Sequence, residues 1–427
     1  MQISIRALLT GLLCFCAWGT AWAQFDQYTS PGGPEGRPED AKGRLAREVA
    51  EARYHLGLVH IAPEVGLKDV AYVKTLLATG STAAPADLTA TVDAGFKFYL
   101  PASSKVTWTA EALPEYVWWH KRTDSRRLNE NFAVGFHAFW NKLTLEVAAA
   151  RSEAQRILTP ELPQLTNTRL DHADLNAELG LSRRFSLFAE AQAFEQTSLA
   201  DRADPLSGLF ELLDRREQIA RGGVRWRPFE GLAMGVGAER SQVDFTLRRT
   251  GEPDRSNYGT APIFEGVYEH GRIFFQTDLA ARSLRAAHGA DFVAYDKVTG
   301  KATASYRTAA GPELFIYGHR ELIYSTFIDY PYLDDERVGA ALHLRLGHRT
   351  RGSVYIEGGT DGYTPLGAGV LPRKDDVTSY GGALQFELGH SASLRLEGVH
   401  SRYRSNLPGA DRTFSSLGFT IALTGIP

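Results

Sequence analysis

The chain has 427 residues, of which 43% are hydrophobic and 41 are glycine, and its formal net charge is −3. This near-neutral charge argues against a nucleic-acid partner, which would require a basic face. The mean hydropathy is −0.24, and after the N-terminal segment no apolar run approaches the roughly 18 residues of a transmembrane helix. The sequence therefore argues against a helical membrane protein, whereas strands that alternate apolar and polar residues escape such averages.

The N-terminus has the pattern of a secretory signal peptide. A basic start precedes the apolar stretch Ala7–Trp18, and Ala21–Ala23 is a small-x-small cleavage site. We predict cleavage near Ala23, which removes Arg6 and takes the net charge from −3 to −4. Cys14 and Cys16, the two cysteines, lie within this segment. The mature chain is therefore expected to have no thiol or disulfide.

A short helix is predicted before the strands begin. Within Glu39–Arg53, Leu45, Val49 and Ala52 fall on one stripe of a helix, and charged pairs at i,i+4 spacing support it. One short helix cannot form a domain. We interpret it either as a periplasmic lead-in or as a plug segment folded into the mouth of a barrel.

From residue 58 onward, apolar residues recur at every second position. Clear examples are Ala90–Phe98, Phe132–Trp140 and Ala173–Leu181, and each fits a strand with one apolar face. The stretches often reach about ten residues, enough to cross a bilayer at a tilt, whereas sandwich strands are shorter and propellers repeat at a fixed period. We predict an all-β fold, a transmembrane antiparallel up-and-down β-barrel. The expected organisation is signal peptide 1–23, periplasmic lead-in with the short helix 24–57, and barrel 58–427.

Connection lengths predict the number of strands. Short turns alternate with long polar loops, as in outer-membrane barrels, whose short turns lie on the periplasmic side. The long loops are placed near 71–86, 120–131, 155–170, 197–215, 249–260, 284–301, 327–337, 360–377 and 405–412. With eight short turns they give about eighteen strands and place both chain ends in the periplasm. Residues 291–298 could form an extra strand or a hairpin tip, and a sixteen-stranded barrel remains an alternative.

The polar face of each strand is assigned to the lumen, because a barrel of this size encloses more space than its own side chains fill. The predicted pore-lining residues are Asp93, Lys97, Glu111, Glu146, Asp174, Asn176, Glu178, Glu190, Arg221, Arg225, Arg227, Glu239, Asp278, Arg282, Arg345, Glu357, Glu387, Arg395 and Glu397. Acidic residues between 174 and 190 and arginines between 221 and 227 are expected to form sectors of opposite charge. Such sectors would set up a transverse field that favours polar, hydrated solutes.

The sequence contains no catalytic or cofactor motif. It lacks a G-x-S-x-G elbow, a P-loop and an H-E-x-x-H helix. Asp174, Asn176 and Glu178 would share one strand face, but oxygen ligands about 6.6 Å apart make a poor cation site. We predict no enzymatic activity, no catalytic residue, no metal and no cofactor.

The run Arg53–Val70 resembles the entry strand of a family of outer-membrane β-barrels found with exopolysaccharide and capsule gene clusters. The resemblance rests on a helix-like lead followed by the pattern Leu56-Gly57-x-x-x-x-x-Pro63, and on the overall plan of signal, lead-in and large barrel. It implies passage of a nascent polysaccharide across the outer membrane, with exopolysaccharide and periplasmic co-polymerase or export proteins as partners. It transfers no catalytic residue.

Several functions remain open for a bacterial outer-membrane protein in contact with lipid. The first is a conduit for exopolysaccharide export, and the second is a general diffusion porin for small polar solutes. The third is a structural or adhesive barrel that binds a partner through its extracellular loops. A barrel enzyme that acts through a serine or histidine at its rim is the remaining rival. The transported substrate and the oligomeric state are left open.

Overall fold

The computed structural model describes residues 41–77, 87–162, 166–199, 207–247, 253–388 and 392–424. These ranges contain the helices Ala41–Glu51 and Ser207–Glu211, a 3₁₀ turn at Thr123–Ser125, and twenty-one strand segments. The segments are β1 (Tyr54–Leu56), β2 (Val59–Leu77), β3 (Asp87–Ser103), β4 (Val106–Ala112), β5 (Glu115–Trp119), β6 (Arg127–Asn129), β7 (Asn131–Phe139), β8 (Leu143–Arg156), β9 (Thr166–Gly180), β10 (Phe185–Ser198), β11 (Arg215–Trp226), β12 (Leu232–Phe245), β13 (Asn257–His270), β14 (Ile273–Ala286), β15 (Tyr295–Arg307), β16 (Glu313–Tyr324), β17 (Tyr332–Arg345), β18 (Thr350–Thr364), β19 (Lys374–Glu387), β20 (Ala392–Ser405) and β21 (Arg412–Thr424). Among the described residues, no helix is long and apolar enough to span a bilayer.

The strands form one closed antiparallel barrel. Neighbouring strands pair in sequence order, and β2 also pairs with β21, so the last strand closes the sheet onto the first. The segments β4 and β5 together make the third wall strand and β6 and β7 the fourth, while β1 only folds back onto β2. The wall therefore has eighteen strands, which confirms the predicted count and excludes the sixteen-stranded alternative. Within the described residues, this closure leaves the sheet without an edge strand.

Short and long connections alternate as predicted, but the strands continue further than the apolar alternation indicates. β2 extends to Leu77, inside the region predicted as a loop at 71–86. β14 extends to Ala286 and β15 begins at Tyr295, so the region 284–301 holds two ordinary strand ends and no extra strand. The physical reason is that the strands project beyond the apolar band, so a strict alternation of apolar and polar residues no longer marks them.

The two faces of the wall differ in chemistry. Large apolar side chains stand exposed on one face, as Val236 (59% exposed), Val338 (67%) and Leu417 (69%) show. Ion pairs concentrate on the other face. In a membrane-spanning barrel the exposed apolar face contacts lipid and the charged face lines the interior. We call these the outward and inward faces.

The N-terminal helix Ala41–Glu51, which was predicted, lies against the inward face. Its Leu45 and the following Ala52 are buried against Tyr99, together with Phe139. Tyr99 and Phe139 stand near those ends of β3 and β7 that short turns join to the next strands. Of the two interpretations of this helix, the structure supports the one that places it in the mouth of the barrel.

Candidate functional site

The connection between β8 and β9 lies inside the barrel, although the sequence places an extracellular loop there. All of its described residues, Ile157–Leu162, are buried, and Leu158 and Thr159 are 1% and 0% exposed. A loop that runs over the surface would keep its backbone in water. This segment, which we call the inward connection, therefore occupies part of the lumen.

Glu161 anchors the inward connection to the other side of the barrel. Its carboxylate accepts hydrogen bonds from the Ser325 hydroxyl (2.5 Å), the Thr326 backbone N–H (2.5 Å) and the Thr326 hydroxyl (2.8 Å). The Thr159 hydroxyl donates a further hydrogen bond at 3.2 Å. Ser325 and Thr326 directly follow β16, eight wall strands beyond β8. The contact therefore crosses the lumen.

Near the tip of the β16–β17 hairpin, β16 parts from β15, and the tip meets the inward connection while β17 stays paired with β18. Pairing between β15 and β16 ends at Gly300 and Arg320, although β15 begins at Tyr295 and β16 continues to Tyr324. Gly300 has a φ of +139°, and a Cβ there would lie 2.0 Å from the Asp278 carbonyl oxygen. Only glycine fits at the point where the two strands part.

Two apolar clusters fill the space between the inward connection, the hairpin tip and the wall. The larger cluster contains Leu158, Leu162, Phe210, Leu213, Val243, Phe245, Leu284, Phe292, Tyr295, Tyr324 and Tyr332. The smaller one joins Ile157 to Ile323, Tyr330, Leu333, Tyr363 and Phe414. Tyr324 of the hairpin meets the ring of Phe245 on β12 edge to face at 5.0 Å. The half of the lumen near the long connections is thus narrowed by packed side chains.

A buried group of arginines and aspartates holds the inward connection to the wall. Arg412 donates from Nε to the Pro160 carbonyl oxygen at 2.5 Å, and it also pairs with Asp375 and, at 3.2 Å, with Asp361. Arg337 pairs with the same Asp361 at 2.6 Å. The four charged side chains are at most 3% exposed. Charges buried this deeply persist only when they are paired, so the group is a rigid attachment point.

Arg255 ties a further connection to the hairpin tip. Its guanidinium donates hydrogen bonds to the carbonyl oxygens of Ser325 and Leu212 and lies 4.6 Å from the centroid of the Phe245 ring. Leu212 belongs to the connection between β10 and β11. Three long connections are therefore joined to one another inside the barrel.

Asp214 ends the β10–β11 connection just outside the wall. Its carboxylate accepts the Ser198 backbone N–H at 2.5 Å, and its carbonyl oxygen accepts the Thr246 backbone N–H at 3.0 Å. Burial, which disfavours the charged form, raises the pKa of Asp214 to about 7. The Asp214 carboxyl therefore titrates near neutral pH, where most carboxyl groups in proteins are already ionised.

The predicted pore-lining residues all occupy inward-facing positions, with Arg227 one residue beyond β11. The expected separation into acidic and basic sectors is not what the structure shows. Arg225 lies 2.9 Å from each of Glu178, Glu190 and Glu265, and Arg227 lies 2.6 Å from Glu178. Because β11 is adjacent to β10, the opposite charges neutralise one another along the wall instead of facing each other across the lumen.

A second network contains four more of the predicted residues. Arg221 lies 2.8 Å from Glu239 and 3.2 Å from Asp278. Arg282 lies 3.0 Å from the same Glu239, whose side chain is 1% exposed. Two guanidinium groups thus hold one buried carboxylate, which fixes the wall around it.

The other predicted residues are spread around the wall and do not form one site. Their contacts are Lys97 with Glu64 (2.6 Å) and Glu111 (3.7 Å), Asp93 with Lys68 (3.5 Å), Glu146 with His137 (3.1 Å), Glu357 with Tyr317 (3.1 Å), Glu387 with Arg351 (2.8 Å) and Arg395 with Glu397 (2.8 Å). Asp174 and Asn176 stand in register with Gln192 and Glu190, and Arg345 with Arg351. Their role as pore-lining residues stays a prediction.

Sequence reasoning missed the residues that narrow the lumen. Arg337, Asp361, Asp375 and Arg412 fall at strand ends that were predicted as long loops. Opposite charges two residues apart, as in Asp335-x-Arg337 and Arg373-x-Asp375, would have indicated that these ends are strands, since such pairs share one strand face. No local pattern distinguishes Glu161 from a residue of a solvated loop.

No protein-family model and no curated protein matches the chain. Among solved structures it is similar to OccK2 (OpdF) of Pseudomonas aeruginosa, with 11% identity, a TM-score of 0.53, and coverage of 85% of this chain and 98% of that chain. The outer-membrane protein OpdK of the same organism gives 11% identity and a TM-score of 0.51, with coverage of 85% and 99%.

OpdO (OccK3), also of Pseudomonas aeruginosa, gives 13% identity and a TM-score of 0.50, with coverage of 89% and 99%. Identity this low carries information about the fold alone. The chain therefore has the fold of these outer-membrane β-barrels. None of these comparisons supports the exopolysaccharide-cluster family to which the entry strand is similar.

Proposed function

We propose that this barrel is a selective channel for small polar solutes, a narrower form of the porin that the sequence left open. The observation that carries the proposal is the anchoring of Glu161 to Ser325 and Thr326 across the lumen. A segment held across the interior reduces the passage, and a narrow passage lined by charges discriminates among solutes. A polysaccharide would need this segment to be displaced along its whole length, and export has no support beyond the entry-strand resemblance. We assign the chain no catalytic role.

The charge of the inward face favours cations. The described inward positions of β2–β10 carry Lys68, Lys97, Arg127 and Arg156 against the carboxylates of Glu64, Asp87, Asp93, Glu111, Glu115, Glu146, Asp174, Glu178 and Glu190. On β11–β21 the two signs nearly balance, because β11 alone supplies Arg215, Arg221 and Arg225. A passage with an excess of negative charge concentrates cations and slows anions.

A contrary candidate comes from the solved structures. OccK2 has been solved in complex with glucuronate, which is an anionic sugar acid. If this chain took solutes of that class, its lumen would have to attract anions. The sign of the ion selectivity therefore separates the two candidates.

The purified barrel in a planar bilayer with a KCl gradient provides the test. We expect discrete channels whose reversal potential has the sign of cation preference, and a smaller reversal potential for E146Q/D174N. The matched control is E397Q, since Glu397 already pairs with Arg395 in the balanced part of the wall. Absence of channels would reject the channel itself, whereas channels with anion preference would reject only the charge preference.

A further inference from the structure

Charged side chains on the outward face near the long connections commonly neutralise one another. Arg151 pairs with Asp171 at 2.7 Å on the outward face of β8 and β9. Arg216 pairs with Glu195 at 2.8 Å on β11 and β10. These parts of the wall present little net charge to the surrounding membrane.

The outward face of β19 and β20 is different. Lys374, Arg402 and Arg404 are exposed and alternate with buried inward residues such as Tyr403. Within the part of the chain that the structure describes, no carboxylate lies within ion-pair distance of these three groups. Asp376 stands in register with Arg404 but forms no ion pair with it, so the four residues together keep a net charge of +2.

The basic group begins where the apolar band ends. On the outward face of β19, Tyr380 (52% exposed) and Leu384 (40%) lie on the apolar side of Lys374. On β20, Leu396 (39%) lies on the apolar side of Arg402. Arg402 lies opposite Thr378, one outward position beyond Tyr380. Aromatic residues mark the level of the headgroups in a membrane-spanning barrel. Lys374, Arg402 and Arg404 therefore lie at the headgroup level of the extracellular leaflet.

Outward glycines leave a shallow recess beside the basic group. Gly358 and Gly362 of β18 and Gly398 of β20 share this face. A Cβ at any of them would lie 3.6 Å or more from its nearest neighbours, so internal packing does not require glycine there. Glycine in a strand without a packing reason is typical of a place where a ligand approaches closely.

We propose that Lys374, Arg402 and Arg404 bind the phosphate groups of lipid A in the lipopolysaccharide of the outer leaflet. Guanidinium and ammonium groups bind phosphate through charge-assisted hydrogen bonds, and basic groups at a membrane surface recognise anionic headgroups. The lipid is present at this level of the membrane, and the recess admits its sugar headgroup. This site is independent of the proposed channel, because it lies on the other face of the wall.

Binding of bis-phosphorylated lipid A to the detergent-solubilised barrel, titrated by native mass spectrometry, tests the proposal. We expect R402Q/R404Q to bind at least about tenfold more weakly than the wild type, because two charge-assisted contacts are lost. R402K/R404K should bind nearly as well as the wild type. D376N should bind more tightly, because it removes the adjacent carboxylate.

The matched control is R151Q, which removes an outward arginine that is already paired with Asp171 and should leave binding unchanged. A heat-modifiable gel band for each variant shows that the barrel is folded. Three results would overturn the proposal: wild-type binding by R402Q/R404Q, an equal loss in R151Q, or equally tight binding of dephosphorylated lipid A, which would indicate apolar adhesion only.

Discussion

Replacing Glu161 with alanine should release the inward connection. The side chain is 3% exposed and accepts three hydrogen bonds from Ser325 and Thr326. A hydrogen bond to a charged group contributes about 1.5–3 kcal/mol, and bonds to one acceptor are not additive, so we take about 3–5 kcal/mol for the anchor. This energy would raise the ratio of displaced to anchored connection by roughly two to three and a half orders of magnitude.

Single-channel recording in planar bilayers measures this change. Leu158 and Leu162 still hold the connection in the larger apolar cluster, so we expect frequent steps between a low and a higher conductance and not a permanently wide channel. The eighteen wall strands are untouched by E161A. The temperature at which the folded band disappears on a gel should therefore stay near that of the wild type.

Glu153 provides the matched control. It is as buried as Glu161, with 2% exposure, but pairs with Arg169 at 2.6 Å on the wall and does not contact the hairpin tip. E153A should lower the stability of the barrel without adding conductance steps. The reasoning would be refuted if E161A conducted as quietly as the wild type, or if E153A produced the same steps.

Four further outcomes follow from other parts of the structure. R412M removes one of the two cations beside each of Asp361 and Asp375, which keep Arg337 and Arg373, and should cost about 1.5–3 kcal/mol, seen as earlier loss of the folded band on heating; an unchanged temperature would contradict it. Gly300→Val places a Cβ 2.0 Å from a carbonyl oxygen, whereas Gly367→Val points into open space, so only the first should lower the refolding yield. L45D should expose the N-terminal helix to protease while the barrel stays intact. Equal protease resistance of L45D and the wild type would contradict the packing of this helix in the mouth of the barrel. Burial raises the pKa of Asp214 to about 7 from 3.8, so between these pH values the folded chain binds a proton that the unfolded chain releases. Hydrogen-exchange protection of the β10–β11 connection should therefore fall between about pH 4 and pH 7 in the wild type and not in D214N.

Strand number was predictable because lipid and strand geometry impose the same period on the sequence. In Phe132–Trp140 every second residue is apolar, and the structure places β7 there over Asn131–Phe139. The signal is lost where strands leave the apolar band, as at Asp335 and Arg337, which were assigned to a loop but form part of β17. Both faces of these strand ends are polar, so hydrophobicity no longer distinguishes them.

The narrowing of the lumen could not be predicted, because contacts distant in sequence produce it. Glu161 meets Ser325 and Thr326 more than 160 positions away, and Arg412 meets Pro160 across 252 positions. Glu161, Ser325 and Thr326 are each residue types that are common in ordinary polar loops. Only the closed barrel brings their partners within reach, so an analysis of local windows has no means to detect them.

Exposure separates the charges that build the barrel from those that a solute can reach. Arg337 and Arg412 are 2% and 3% exposed within their aspartate group, which leaves no room for a solute beside them. Around Arg225 the exposures are 24% for its own side chain, 25% for Glu178 and 19% for Glu190, so solvent enters that network. Since a charge acts on a permeating ion chiefly when both share the same water-filled space, substitutions in the first group should change stability and those in the second should change selectivity.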